Sequence, residues 1–324
     1  MKRPIFFAVM ITGLILAIAL PKVTAAEQSS QVQLNQTSYG YEVTIDGKTF
    51  AGYHRDFKGT PIIWPVIGPN EKPMTRGFPM KNDVSGEKKD HPHHRSIWFT
   101  HDEVNGNRHW TDDTIAHQEF LKTECDGKTA VVVTKNHWLD KKSKAAVCSD
   151  VRTVTFGVID GNRYIDFDIV LTAEQDEVTF VDTKEGTFGI RVPTSMDVDS
   201  KKGGVIINSQ GDKDDKAWGK RSDWVDYSGP VDTADNEIAG IAVFNHPKSF
   251  RYPTWWHVRT YGLFAANPFG LKDFDKSLGQ DGTVVLKKGD SLVFYYRVLL
   301  HKGNADSLDL GKLYKDYAET QKDN

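Results

Sequence analysis

Turn signals recur roughly every ten residues along this chain, and the segments between them alternate apolar with polar side chains. Tyr41–Ile45 runs into Asp46-Gly47, Ala130–Thr134 follows Asp126-Gly127, and Val151–Ile159 and Arg163–Leu171 flank Asp160-Gly161. A period of two sends successive side chains to opposite faces, the pattern of half-buried strands. In Arg163–Leu171, for example, Tyr164, Asp166 and Asp168 form an acidic face opposite Ile165, Phe167 and Ile169. Further strands are expected at Gly204–Asn208, Ile238–Phe244, His257–Phe264, Thr283–Leu286 and Ser291–Leu300. So many short strands without alternating helices predict an all-β fold, a large antiparallel β-sandwich rather than βα units. Helix is expected once, near the C-terminus. There Asp306 or Ser307 could cap a segment carrying Leu310, Leu313, Tyr314 and Tyr317 at helical spacing.

The first 25 residues read as a secretory signal: Lys2 and Arg3, an uncharged apolar run from Ile5 to Leu20, then Val23-Thr24-Ala25. At about 16 residues the run is short for the roughly 20 that span a bilayer. The expectation is an exported protein, periplasmic or extracellular, with residues 26–324 as a single all-β domain and no membrane contact after cleavage. Losing Lys2, Arg3 and Lys22 moves the net charge from −3 to −6, 38 basic against 44 acidic residues. That balance gives no footprint for nucleic acid. Cys125 and Cys148 are the only cysteines; export would permit a disulfide between them, and two free thiols are the alternative.

Five of the eleven histidines fall between Asp90 and Trp110. If His91-Pro92-His93-His94-Arg95 is extended, His91 and His93 point one way and His94 the other. His91 and His93 with His101 could then hold one divalent metal with an open position. Without a metal, the imidazoles are acid–base or hydrogen-bonding groups. A second constellation surrounds Glu185 and Arg191, with Gly186 and Gly189 permitting close backbone approach. A third runs from Phe244 to Phe269 and interleaves His246, His257, Arg259 and Asn267 with Trp255, Trp256 and Tyr261. On a strand from Trp255 to Leu263, His257, Arg259 and Tyr261 share Trp255's face. Aromatic rings beside hydrogen-bonding groups suit sugars, which present an apolar C–H face and a rim of hydroxyls. A fourth, Ala217–Gly229, mixes indole, cation and carboxylate and could lie over the site.

The blocks HPHHRSIWFTHDEVNG, TKEGTFGIRV, WGKRSDWVDYSG, FNHPKSFRYPTWWHVRTYGLFAANPFG and FYYRVLLHKG occur in that order. They resemble a bacterial domain-of-unknown-function family, number 6807, over roughly Tyr39 to Tyr317. The name methane oxygenase (PmoA) often travels with that family. It does not suit this sequence, because a subunit of that monooxygenase crosses the membrane several times and this chain has one removable apolar segment. The resemblance implies exported proteins of bacteria rich in polysaccharide-degrading systems. It also implies a galactose-mutarotase-like supersandwich, in which sugars lie on a concave sheet among histidines, an arginine and a carboxylate.

The function expected is therefore carbohydrate-active, on a small-molecule or glycan substrate: an epimerase, lyase or hydrolase of a sugar or oxidised sugar. Glu185 or His257 would serve as base and His93 or His94 as acid. Arg95, Arg191, Arg259, His246 and Asn267 would orient the substrate, with Trp98 or Trp255 as stacking platform. A non-catalytic glycan-binding module and a metal-dependent lyase or hydrolase are the alternatives.

Overall fold

The computed structural model describes residues 30–231 and 237–322, with Met1 and Pro4 apart from them. Apart from those two, the stretch read as a signal lies outside the described residues. Two eight-stranded antiparallel sheets make up the molecule. The first runs, edge to edge, through Val32–Gln36, Gly40–Ile45, Lys48–His54, Ile62–Val66, Ile97–His101, Gly186–Arg191, Leu263–Asn267 and Trp255–Val258. The second runs through Val205–Asn208, Trp224–Pro230, Ile238–Asn245, Ser291–Lys302, Asn162–Ala173, Ala146–Ile159, Thr129–Leu139 and Ile115–Cys125. Glu177–Phe180 and Val284–Lys287 form a separate two-stranded ribbon. The large antiparallel β-sandwich expected from the turn spacing is what forms. Among the described residues no helix is long and apolar enough to cross a membrane.

Alternation decides which face each strand buries. In Thr129–Leu139 every second residue is buried, from Ala130 through Val132 to Trp138. From the first sheet, Ile97, Phe99, Phe188, Ile190, Trp256 and Phe264 point into the same core. Rings meet across it: Phe99 lies 5.4 Å from Phe294, and Phe188 lies 4.8 Å from both Phe167 and Tyr296. Each such side chain contributes about 1.5–3 kcal/mol by leaving water. One polar network crosses this core. Asp150 accepts from Asn136 (2.8 Å), Trp138 (2.6 Å) and two Arg152 nitrogens (2.7 and 2.8 Å), and Arg152 donates to the Phe99 carbonyl at 3.2 Å. The Ile97–His101 strand is thus fixed from behind.

The first sheet's other face carries Trp98, Thr100, Thr187, Gly189, Arg191, His257, Leu263 and Ala265. The other face of the second sheet is covered by the C-terminal helix, Leu310–Ala318. Leu310, Tyr314 and Tyr317 pack there on Ala242, Phe244 and Leu299. Its cap is Asp309, which accepts from the Lys312 N–H at 2.9 Å, not Asp306 or Ser307. Those two belong to a preceding 3-10 turn, Ala305–Ser307. The acidic face read in Arg163–Leu171 lies on this side: Arg297 binds Asp166 and Lys322 binds Asp168, each at 2.7 Å.

One further expectation is corrected. His257–Phe264 is not one strand, because Arg259–Gly262 is a turn closed by a 2.9 Å bond from the Gly262 N–H to the Arg259 carbonyl. Gly262 has φ 101°, a conformation that glycine adopts without the strain other residues meet. The two cysteines are free thiols, Cys125 exposed and Cys148 buried. Cys125 ends the edge strand Ile115–Cys125, whose pairing shifts register at His117/Glu119 and again at Phe120/Lys122.

Candidate functional site

His91–His94 is a turn, not an extended run. The His94 N–H donates to the His91 carbonyl at 3.0 Å, and Pro92 occupies the second position, where its fixed φ suits a β-turn. All three imidazoles consequently gather on one side. The His91 ring centroid lies 4.8 Å from that of His94 and 5.8 Å from that of His93, and His93 and His94 are 4.5 Å apart. Tyr261 stacks on His91 at 5.2 Å, and Trp98 stacks on His94 at 5.4 Å. Trp98 can lie flat across its neighbouring strand because Gly189 is opposite; a Cβ there would come within 2.6 Å of the indole.

Two buried arginines hold this turn. Arg76 donates to the carbonyls of Phe78 (3.1 Å), Lys88 (3.3 Å) and His91 (3.0 Å), and to Asp90 at 2.6 Å. Arg191 donates to Asp90 at 2.9 Å and to His94 Nδ1 at 3.0 Å. Because the guanidinium can only donate, His94 Nδ1 is an acceptor and the proton sits on Nε2. Burial, then the neighbouring His93 and Arg191, holds the His94 pKa well below 6.5. His94 is therefore a fixed neutral hydrogen-bonding group rather than the acid expected of it. Arg76 and Asp90 were missed as site residues. Asp90 opens the histidine window, but nothing in the sequence singles out Arg76 among the chain's arginines.

Glu185 lies within electrostatic reach of two histidines. Its carboxylate is the leading influence that favours protonation of both His93 and His257. Burial outweighs it in each and pushes both down to about 4. His257 Nδ1 sits 2.7 Å from the Lys184 carbonyl, so the neutral ring donates there and leaves the Nε2 lone pair free. The loop bearing Glu185 is held by its backbone. The Glu185 carbonyl accepts from the Asp102 N–H at 2.9 Å, and the Thr183 carbonyl accepts from Asn267 at 2.9 Å. Lys184 pairs with Glu185 at 3.2 Å.

Beyond His257 lies Arg259, half-buried between two rings, 5.9 Å from the Trp218 centroid and 5.5 Å from that of Tyr261. A cavity of about 250 Å³ opens here, lined by Asp215, Trp218, Val258, Arg259 and Thr260. Tyr261 links this end to the histidine turn, since Arg191 lies 4.9 Å over the same ring. Several buried polar atoms on this face have no partner among the described residues: Trp98 Nε1, Thr100 Oγ1, Thr187 Oγ1 and Trp218 Nε1.

Other expected members do not join. Arg95 turns away to the Phe57 and Lys58 carbonyls, each at 3.3 Å, and to Asp113. His246 lies against Tyr295 and Tyr317 on the helix side of the second sheet, bonded to the Thr320 carbonyl. Trp255 shares the face of His257, as read, but the Arg221 guanidinium covers its ring at 4.5 Å. Asn267 holds backbone at both ends of its amide. His101 points to the opposite side of its sheet from Trp98, against Phe180 and Phe269, with Nε2 at 2.9 Å from the Val181 carbonyl. It cannot meet His91 and His93, and no group of three His, Cys, Asp or Glu among the described residues is arranged to hold a metal. Ala217–Gly229 does reach over the site, through Trp218.

Three solved structures are distantly similar to the chain. The GH36 alpha-galactosidase AgaA from Geobacillus stearothermophilus matches at 10% identity and TM-score 0.35, over 85% of this chain and 40% of its own. The Slr1438 protein from Synechocystis sp. PCC 6803 matches at 10% identity and TM-score 0.35, over 86% of this chain and 94% of its own. A galactose mutarotase related enzyme from Lactobacillus acidophilus matches at 12% identity and TM-score 0.27, over 85% and 96%. The chain thus spans less than half the length of the alpha-galactosidase. No curated protein matches the sequence. The family model does, across residues 40–315, and the chain belongs to the family of unknown function DUF6807.

Proposed function

We propose that this is an exported carbohydrate-active enzyme that moves protons on a sugar or oxidised sugar. The observation that carries the reading is Glu185 within electrostatic reach of His93 and His257, with the His257 tautomer fixed so that Nε2 can accept a proton. Groups whose surroundings set different protonation states can divide acid and base roles. Here Glu185 and His257 would take a proton from a hydroxyl or an acidic C–H, and His93 would face them from the turn. Arg191 and His94 position that turn. Epimerase or lyase chemistry fits better than hydrolysis by paired carboxylates. Asp102, whose N–H bonds the Glu185 carbonyl, has its carboxylate occupied by Arg108, with both oxygens at 3.2 Å.

The test is proton exchange in D₂O, followed by NMR on a panel of monosaccharides and sugar acids. General acid–base groups are worth about 10²–10⁴ in rate. Glu185→Gln and His257→Gln should each slow exchange at least ~100-fold. Full rates in both variants would overturn the assignment, and reversible binding without turnover would make the chain a glycan-binding module instead.

A further inference from the structure

Among the cations facing this site, Arg259 has no counter-ion. Arg76 and Arg191 share Asp90, Lys184 holds Glu185, and Arg108 holds Asp102. Among the described residues Arg259 has neither an ion pair nor a side-chain hydrogen bond, only the rings of Trp218 and Tyr261. Those rings orient the guanidinium and shield part of it, which strengthens what its N–H groups can bind. Trp218 lines the same small cavity, with its own Nε1 buried and without an acceptor among the described residues. At about 250 Å³ that cavity lies just below the roughly 300–1,000 Å³ of drug-sized ligand sites, a size for one sugar ring rather than a chain.

We infer that Arg259, with Trp218, is an anion subsite that receives the carboxylate of a sugar acid, so that the ring is held against Glu185 and His257. This rests on the acid–base reading above and names its substrate class. A carboxylate fits better than a phosphate ester, because a single guanidinium matches one negative charge and Arg76, Arg191, Lys184 and Arg108 are already paired. Asp215 lines the same cavity, is exposed, and makes no ion pair with Arg259. Its charge at the mouth weakens anion binding, so Asp215→Asn should tighten it.

The test is calorimetric titration of the whole protein with D-galacturonate and D-glucuronate against D-galactose, D-glucose and glucose 6-phosphate. At least one uronate should bind ten-fold or more tighter than its neutral counterpart and than the phosphate ester. Arg259→Gln should erase that preference, Arg259→Lys should restore part of it, and His257→Gln should leave it standing. The preference should also shrink between 20 and 300 mM NaCl. Equal affinity for neutral sugars, no binding of either uronate, tighter binding of the phosphate, or a preference that survives in Arg259→Gln would each overturn the subsite. Failure of the acid–base reading shows separately, as undiminished proton exchange in Glu185→Gln on whichever sugar binds.

Discussion

Each outer face of the sandwich holds an arginine between two aromatic rings, and the two sites end differently. On the second sheet, Arg297 lies 4.5 Å from the Tyr164 ring and 4.7 Å from the Tyr317 ring, and Asp166 takes both its forks at 2.7 Å. The C-terminal helix then closes over it. On the first sheet, Arg259 has the rings but, among the described residues, no carboxylate paired with it. The same three chemical parts make a finished structural joint in one place and an incomplete one in the other. The missing part is an acid, and the incomplete joint lies beside the only region where Glu185 and two neutral histidines meet.

The comparison breaks most visibly in stability. Removing one member of a buried pair leaves a stranded charge and costs about 3–5 kcal/mol. Arg297→Met should therefore lower the unfolding free energy measured by urea denaturation by that amount. A shift under ~1 kcal/mol would mean that Arg297 is no more committed to the fold than a surface residue. Next in size, Gly189→Ala puts a methyl against the Trp98 indole and should cost about 1–3 kcal/mol while slowing any turnover. An unchanged enzyme would show that Trp98 need not lie flat.

Acid separates the faces by a different route. Burial lowers His101, His109 and His257 to about 4 from an ordinary 6.5, and holds His94 well below its ordinary value too. The unfolded chain then binds more protons than the folded one between those values, so stability rises with pH across that window and levels off above it. Each histidine contributes up to about 1.4 kcal/mol per pH unit. Denaturation at pH 4.5, 5.5 and 6.5 should show that slope, and His101→Phe should remove one share. The smallest effect is the sharpest: Arg259→Met should change stability by no more than ~0.5 kcal/mol, because nothing in the chain depends on it. A large loss would place Arg259 with Arg297 as structure.

Period-two alternation made most of the fold readable, because it reports burial directly; the Trp255/His257 face and the Trp256/Val258 face came out as read. It failed where a single residue ends a strand. Pro92 supports an extended run or a turn equally well until its neighbours are known, so the convergence of His91, His93 and His94 was hidden. Arg259–Gly262 was absorbed into a strand for a similar reason, its Gly262 outweighed by the apolar residues around it. Among site residues, Glu185, His257, Arg191 and Arg259 were legible by type and clustering. Arg95 and His246 were not separable from them, because whether a cation or an imidazole is already spoken for depends on carbonyls and carboxylates distant in sequence. Arg76 illustrates the converse: its partners are mostly backbone, which leaves no mark on composition.

The margins of the two sheets bear on how copies of this chain behave toward each other. Three of the four edge strands have only four or five residues: Val32–Gln36, Trp255–Val258 and Val205–Asn208. The fourth, Ile115–Cys125, is eleven residues long but loses register twice. A neighbouring molecule that tried to add a strand there would find the row of free N–H and C=O groups interrupted at each break. Such a margin lets a sheet-rich protein stay dispersed at high concentration, and it does so without a covering helix.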